Sequence, residues 1–242
     1  IKQGHKGCCI TDHGNYAASF DLQKHKNNSS KNKKIAEAFK ENDIKKHDVV
    51  MGSELYVYND TIFNKIKSLL PSKANKKEIN EVVLKLETHS IFKAFFVGGN
   101  KGTVANIGVE AKTLLEEENF EEADIKLEEL ASKTIRSKNY KYNHITLMAK
   151  NEIGHRNLCR LTSIGSLPEH FYTRPRIPLS ILLKHKEGLV ATTGCFIGMI
   201  PQAIYKETGE EEELIELFLK EFGEDFYIEI HTSDISKNWD SK

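Results

Sequence analysis

Side chains that bind metal ions or carry protons stand at the ends of several apolar runs in this sequence. They are Asp12, His13, Glu54, His144, Cys195 and His231. Carboxylate, imidazole and thiolate groups are the protein ligands of zinc, manganese and iron. If the fold brings several of them to one edge, they can bind two or three divalent ions. Such a site can hold a phosphate group, generate hydroxide from water near neutral pH and stabilise a departing oxygen.

Each of these residues also has an ordinary structural interpretation. A glutamate in a strand, such as Glu54, most often faces solvent, and a cysteine such as Cys195 is most often a small buried apolar residue. His144 is equally compatible with a hydrogen-bonded core position, and Asp12 with the N-cap of a helix. Spacing alone therefore leaves the metal site and the structural roles open.

Short apolar, β-branched runs alternate with amphipathic stretches along most of the chain. The predicted strands cover residues 6–11, 48–57, 143–149, 187–194 and 225–232. The predicted helices cover residues 30–43, 151–167 and 210–223. The last helix has one apolar face, formed by Leu214, Leu217, Phe218 and Phe222, and Gly223 is placed to end it. This alternation predicts an α/β fold with a largely parallel sheet, in which chemistry gathers at the carboxyl ends of the strands.

Residues 59–139 break this alternation and are interpreted as a helical insertion. Its first half repeats apolar residues at helical spacing, namely Ile79, Val82, Val83 and Leu86. Residues 108–135 predict two helices that meet near Asn119, an αα-hairpin. The glycine-rich stretch 98–103 lacks the spacing of a Walker phosphate loop, so we interpret it as a flexible connection.

The composition argues against several classes of protein. The 35 basic side chains equal the 35 acidic ones in number, so no net field attracts the chain to nucleic acid or membranes. The cysteines (Cys8, Cys9, Cys159 and Cys195) show no CxxC spacing, and two neighbours in sequence are poorly placed to pair with each other. No apolar run reaches the ~20 residues that cross a bilayer, and no signal peptide opens the chain. These features predict a soluble, cytoplasmic protein, and the initial Ile1 suggests a piece of a longer chain.

Several longer motifs, in this order, resemble those of one known family. They are "GCCITDHGN", "VVMGSELYV", "YNHITLMAKNEIGHRNLCRLTS", "FYTRPRIPLSILLKHKEGLVATTGCFIGMIPQAI" and "FGEDFYIEI". Together they resemble the PHP domain of bacterial C-family replicative polymerases, the DNA polymerase III alpha subunits. The resemblance covers roughly residues 4–26, 44–58 and 140–232, and it is most specific over 140–205.

The resemblance implies a PHP-type distorted (β/α)7 barrel built from residues 1–58 and 140–242, with residues 59–139 inserted. The family's metal ligands fall on His13, Glu54, His144 and Cys195. Asp12 becomes a supporting acid beside them, and Arg176 matches a basic position near the site. The bound cofactors would be two or three divalent ions, with zinc, manganese and iron all compatible.

Two departures from the family pattern stand out. The family opens with an HxH pair upstream of "TDHG" and closes with a DxH motif after the strand that matches "FYIEI", and neither occurs here. We therefore expect a domain that is incomplete at both ends. The block 59–139 is the second departure, because the family usually has a short connection there.

The resemblance predicts part of a DNA-directed DNA polymerase, a nucleotidyltransferase, of bacterial or phage origin. Its PHP site would be a metal-dependent phosphoesterase that trims a DNA primer 3′ end as a 3′–5′ exonuclease, with DNA and other replisome subunits as partners of the full-length polymerase. One alternative is a catalytically silent structural and docking module. Another is a stand-alone PHP phosphatase of the histidinol-phosphatase type.

Overall fold

The computed structural model describes residues 7–18, 21, 24, 37, 40, 48–61, 76–88, 103–135, 142–207 and 209–230. The chain divides into two compact units. The first consists of residues 1–55, 143–159 and 186–242, and the second of residues 56–142 and 160–185. Most of the predicted helix at 30–43, the loop at 98–102 and His231 lie outside the described residues. The division into a barrel of residues 1–58 and 140–242 and an insertion of residues 59–139 stays a prediction.

The described residues contain a strand at each of the five predicted positions and helices at 151–167 and 210–223, whereas the short elements within residues 171–184 and 199–205 were not predicted. The strands are β1 (Gly7–His13), β2 (Asp48–Tyr58), β3 (Asn143–Ala149), β4 (Phe171–Tyr172), β5 (Arg174–Pro175), β6 (Ile177–Pro178), β7 (Leu189–Thr192) and β8 (Phe226–Tyr227). The helices are α1 (Lys76–Thr88), α2 (Thr103–Glu116), α3 (Phe120–Ile135), α4 (Glu152–Gly165), α5 (Leu179–Lys184), α6 (Met199–Tyr205) and α7 (Glu211–Phe222). The α/β class is therefore confirmed. None of the helices in the described ranges is long and apolar enough to cross a membrane.

The described strands form one sheet of six strands and a separate pair, β4 with β5. The order in the sheet is β1-β2-β3-β7-β8, and β6 pairs with the end of β2. The β1/β2, β2/β6 and β7/β8 pairings are parallel, whereas β3 and β7 run antiparallel. The expectation of a largely parallel sheet thus fails at β3/β7, and closure into a seven-stranded barrel stays a prediction.

Helix α7 of the first unit has the apolar face that its spacing predicts. Leu214, Phe218 and Phe222 are buried and Leu217 is half-buried, and the helix ends at Gly223, whose φ is 56°. The Phe218 ring stacks on that of Phe226 in β8, with their centroids 5.2 Å apart. The apolar face of α7 therefore packs against β8, the strand that follows it.

The second unit contains the predicted αα-hairpin. Helices α2 and α3 are joined by residues 117–119, so the turn lies where the sequence places it, at Asn119. Their facing positions are buried: Ile107, Ala111 and Leu115 on α2, and Ala123, Leu127 and Leu130 on α3. Lys126 on α3 also reaches Glu110 on α2, with Nζ 2.7 Å from Oε2. Residues 76–88 form the predicted helix α1, in which Ile79 and Val83 are buried, while the side chains of Val82 and Leu86 lie outside the described part.

Candidate metal centre

The register of β1 and β2 places His13 beside Glu54. The two strands are parallel, and the Cα atoms of these residues are register partners. Residues paired across neighbouring strands project from the same face of the sheet. The imidazole Nδ1 of His13 consequently lies 2.6 Å from Oε1 of Glu54. The Gly14 N–H donates to the Glu54 carbonyl at 2.6 Å and fixes the end of β1 against β2.

His144 reaches the same carboxylate oxygen from β3. Its Nδ1 lies 2.7 Å from Oε1 of Glu54, and the rings of His13 and His144 are 6.1 Å apart between centroids. The His144 backbone N–H donates to the Ile197 carbonyl at 3.1 Å, so its strand position is fixed as well. The side chains of Glu54 and His144 are each 10% exposed, whereas that of His13 is 70% exposed.

Cys195 joins the cluster through His144. Its Sγ lies 3.3 Å from Nδ1 of His144. The turn before it needs Gly194, which has a φ of 70° and would bring a Cβ within 3.3 Å of the His144 carbonyl oxygen. Cys195 therefore follows a turn at Gly194 whose backbone lies close to His144 in β3.

The other predicted site residues have different surroundings. The Asp12 side chain binds the backbone: its Oδ2 accepts a hydrogen bond from the Ala18 N–H at 2.8 Å. This contact is close to the helix N-cap role that was the structural alternative for Asp12. Arg176 belongs to the second unit, is 3% exposed, and has its guanidinium carbon 5.0 Å from the ring centroid of Tyr142. His231 lies outside the described residues.

Two supporting groups were missed by the sequence reasoning. Ser53 is fully buried, and its Oγ donates to the Asn15 carbonyl at 2.6 Å and lies 3.3 Å from the Asp12 carbonyl oxygen, which ties the segment after His13 to β2. The Tyr16 hydroxyl lies 2.9 Å from Nδ1 of His155 on α4. The role of Ser53 could have been predicted from its position inside an apolar strand, because a buried hydroxyl group requires a hydrogen-bond partner.

The donor atoms of this centre suit a divalent metal ion. One ligand atom from each of His13, Glu54 and His144 lies within 4.8 Å of the others, and the thiol of Cys195 adjoins them. Nitrogen, oxygen and sulfur donors in this mixture fit zinc, manganese and iron. Without an ion, Oε1 of Glu54 can accept from both Nδ1–H groups and so orients both rings, in the way that second partners orient metal-binding histidines. The residues present therefore fit the predicted cofactor class.

The family of this chain follows from its sequence match. The model of the PHP domain matches residues 1–233, and the chain belongs to that family. Among curated proteins, it is 46% identical over 93 residues to the DNA polymerase III subunit alpha of Borreliella burgdorferi, which covers 38% of this chain and 8% of that protein. The resemblance expected from the motifs is therefore confirmed.

Two further relatives carry related names. The DNA polymerase III subunit alpha of Thermus aquaticus is 44% identical over 93 residues, covering 37% of this chain and 7% of that protein. The DNA polymerase III PolC-type of Bacillus cereus is 33% identical over 96 residues, covering 40% of this chain and 6% of that protein. The matched segments thus span less than a tenth of the length of these relatives.

Proposed function

We propose that this chain is the PHP module of a replicative DNA polymerase of the DNA polymerase III alpha type. Its site would be a metal-dependent phosphoesterase that removes a mismatched nucleotide from a DNA 3′ end. The observation that carries the proposal is the convergence of His13, His144 and Glu54, with Cys195 beside them. The similarity to polymerase subunits supplies the substrate class.

Two or three divalent ions bound here would activate water and stabilise the charge of a phosphodiester during its hydrolysis. The chain's own residues hold and shape that site. Glu54, almost buried, orients both imidazoles through one oxygen, and Cys195 adds a soft donor next to His144. His13, with its side chain mostly exposed, is the member of the cluster that an incoming substrate can meet.

Asp12 and Arg176 enter the proposal as supporting residues. The Asp12 carboxylate orders the segment after His13 through its bond from Ala18. Arg176 enters through the family resemblance alone, as a guanidinium that can bind a phosphate. Exchange of Arg176 for lysine keeps the charge and removes the planar fork, so a loss of DNA trimming with normal metal content would support this role.

The decisive experiment measures metal by elemental mass spectrometry in this chain and in the longer polymerase that contains it. A Glu54→Ala variant accompanies each. Two or more ions per wild-type chain, with fewer in the variant, support the metal centre, and manganese- or zinc-dependent trimming of a mismatched primer then supports the reaction. Folded proteins that hold no metal and trim no DNA contradict the proposal. Hydrolysis of a small phosphomonoester without action on DNA favours the phosphatase alternative.

A second function is favoured by the hydrogen bonds within the cluster. Glu54 links β1 and β3 to β2 through its contacts with His13 and His144, and these contacts do not require an ion. The module could therefore serve as a structural and docking part of the polymerase. In that case Glu54→Ala lowers thermal stability and leaves no metal-dependent activity to lose. Metal-dependent trimming that the wild type shows and Glu54→Ala loses points to catalysis instead.

A further inference from the structure

The turn that carries Cys195 is held by a hydroxyl at the end of β7. Thr192, the last residue of that strand, is 8% exposed. Its Oγ1 accepts a hydrogen bond from the Gly194 N–H at 3.2 Å. Because this bond closes a tight turn across two residues, the direction of the Thr192 hydroxyl helps to set where the chain enters Cys195.

That hydroxyl is in turn oriented by a carboxylate from the segment after β8. Thr192 Oγ1 donates to Oε2 of Glu229 at 2.7 Å. A threonine hydroxyl has one hydrogen and two lone pairs, so donation to the carboxylate leaves a lone pair aimed at the Gly194 N–H. Hydrogen bonds to an ionised acceptor are stronger than neutral ones, which makes this orientation firm.

The backbone beside Glu229 is fixed to the same turn. The Glu229 N–H donates to Oγ1 of Thr193 at 3.0 Å, and the Thr193 N–H donates to the Tyr227 carbonyl at 3.0 Å. The parallel pairing of Thr192 with Tyr227 continues into these bonds. The carboxylate is therefore presented from a segment that is itself anchored to the turn.

We propose that Glu229 is a positioning residue for Cys195. Through Thr192, it fixes the turn at Gly194 and so holds the thiol against His144, at the 3.3 Å separation seen here. The role of the thiol as a metal donor rests on the function proposed above. The hydrogen bonds from Glu229 through Thr192 to Gly194, here called the relay, do not require a metal. The positioning role of Glu229 and the metal centre can therefore fail separately.

The test is a titration of the protein with Co²⁺ alone, monitored at the thiolate-to-cobalt charge-transfer band in the near ultraviolet. Glu229→Ala and Thr192→Val each break the relay, and we expect about a tenfold loss of Co²⁺ affinity with a weakened thiolate band. Glu229→Gln retains an oxygen acceptor for Thr192 and should restore most of the band. Glu221→Ala is the matched control, because that carboxylate pairs with Lys186 instead.

A second readout needs no metal. The rate at which iodoacetamide alkylates Cys195, mapped by peptide mass spectrometry, should change in Glu229→Ala and Thr192→Val and return toward wild type in Glu229→Gln. The double variant should change no more than either single one, since both act through one relay. An unchanged rate and an unchanged band, or additive effects, overturn the inference. If the wild type binds no Co²⁺, the metal centre fails, and the alkylation rates alone decide the role of Glu229.

Discussion

The Sγ of Cys195 lies 3.3 Å from Nδ1 of His144 because β3 and β7 run antiparallel. His144 is at the amino end of β3, and Cys195 follows the carboxyl end of β7. In a parallel pair these two ends would stand at opposite edges of the sheet. The mixed sheet therefore places an imidazole that opens one strand beside a thiol that follows another.

Replacing Glu54 by alanine should empty the centre and destabilise the first unit. Both imidazoles lose the oxygen that orients them, and the nearly buried His144 loses the carboxylate that its Nδ1 contacts. We expect metal affinity to fall by more than about tenfold and the free energy of unfolding to fall by about 1–3 kcal/mol. Metal content and urea denaturation measure the two effects. Glu224→Ala, which removes an exposed carboxylate of the same unit, should change neither.

The positions of several strands and helices could be predicted from local sequence patterns. β3 has the predicted bounds, Asn143–Ala149, and α7 starts one residue after and stops one residue before its predicted limits. Apolar spacing and a terminal glycine specify such elements on their own. The hairpin turn at Asn119 was predicted from the two helical patterns on either side of it.

Relations between distant segments were less predictable. The direction in which β7 pairs with β3 depends on contacts between residues far apart in sequence, and no local pattern encodes it. The ligand candidates His13, Glu54, His144 and Cys195 came partly from a family resemblance, and the structure brings all four together. The hydrogen bond from the Ala18 N–H to Asp12 was anticipated only through the alternative interpretation of Asp12 as a helix N-cap.

The buried face of α3 should dominate the stability of the helical hairpin. Leu127 is fully buried, whereas Ile125 on the same helix is 66% exposed. Leu127→Ala removes apolar contacts and leaves a cavity, so we expect a loss of about 2–5 kcal/mol in unfolding free energy. Ile125→Ala should stay within about 0.5 kcal/mol of wild type. Equal losses from both substitutions in denaturant titrations would mean that this face does not form the hairpin core.

Gly154 should tolerate no side chain. A Cβ at this position would lie 1.9 Å from the Gly188 carbonyl oxygen, so Gly154→Ala forces the backbones of α4 and the turn before β7 apart. We expect an overpacking cost of about 1–3 kcal/mol or more, seen as a lower midpoint in thermal unfolding. Gly209→Ala is the control, because Gly209 has a φ of 74° and an added Cβ there would have no atom within 4 Å. A larger loss at Gly209 than at Gly154 would show that backbone conformation, and not contact, sets the cost.

His170 should make the stability of the protein fall in mild acid. Burial lowers the pKa of His170, a tendency that the Glu169 carboxylate opposes, and the imidazole Nδ1 has no hydrogen-bond partner among the described residues. The unfolded chain, whose histidine has a pKa of about 6.5, then binds the proton more readily than the folded one. Stability is therefore full above that pH and decreases as the pH falls through the lower folded-state pKa. Unfolding free energies measured between about pH 7 and about pH 5 should fall less steeply in His170→Gln than in wild type. Identical slopes for the two proteins would mean that partial burial does not lower the pKa of His170.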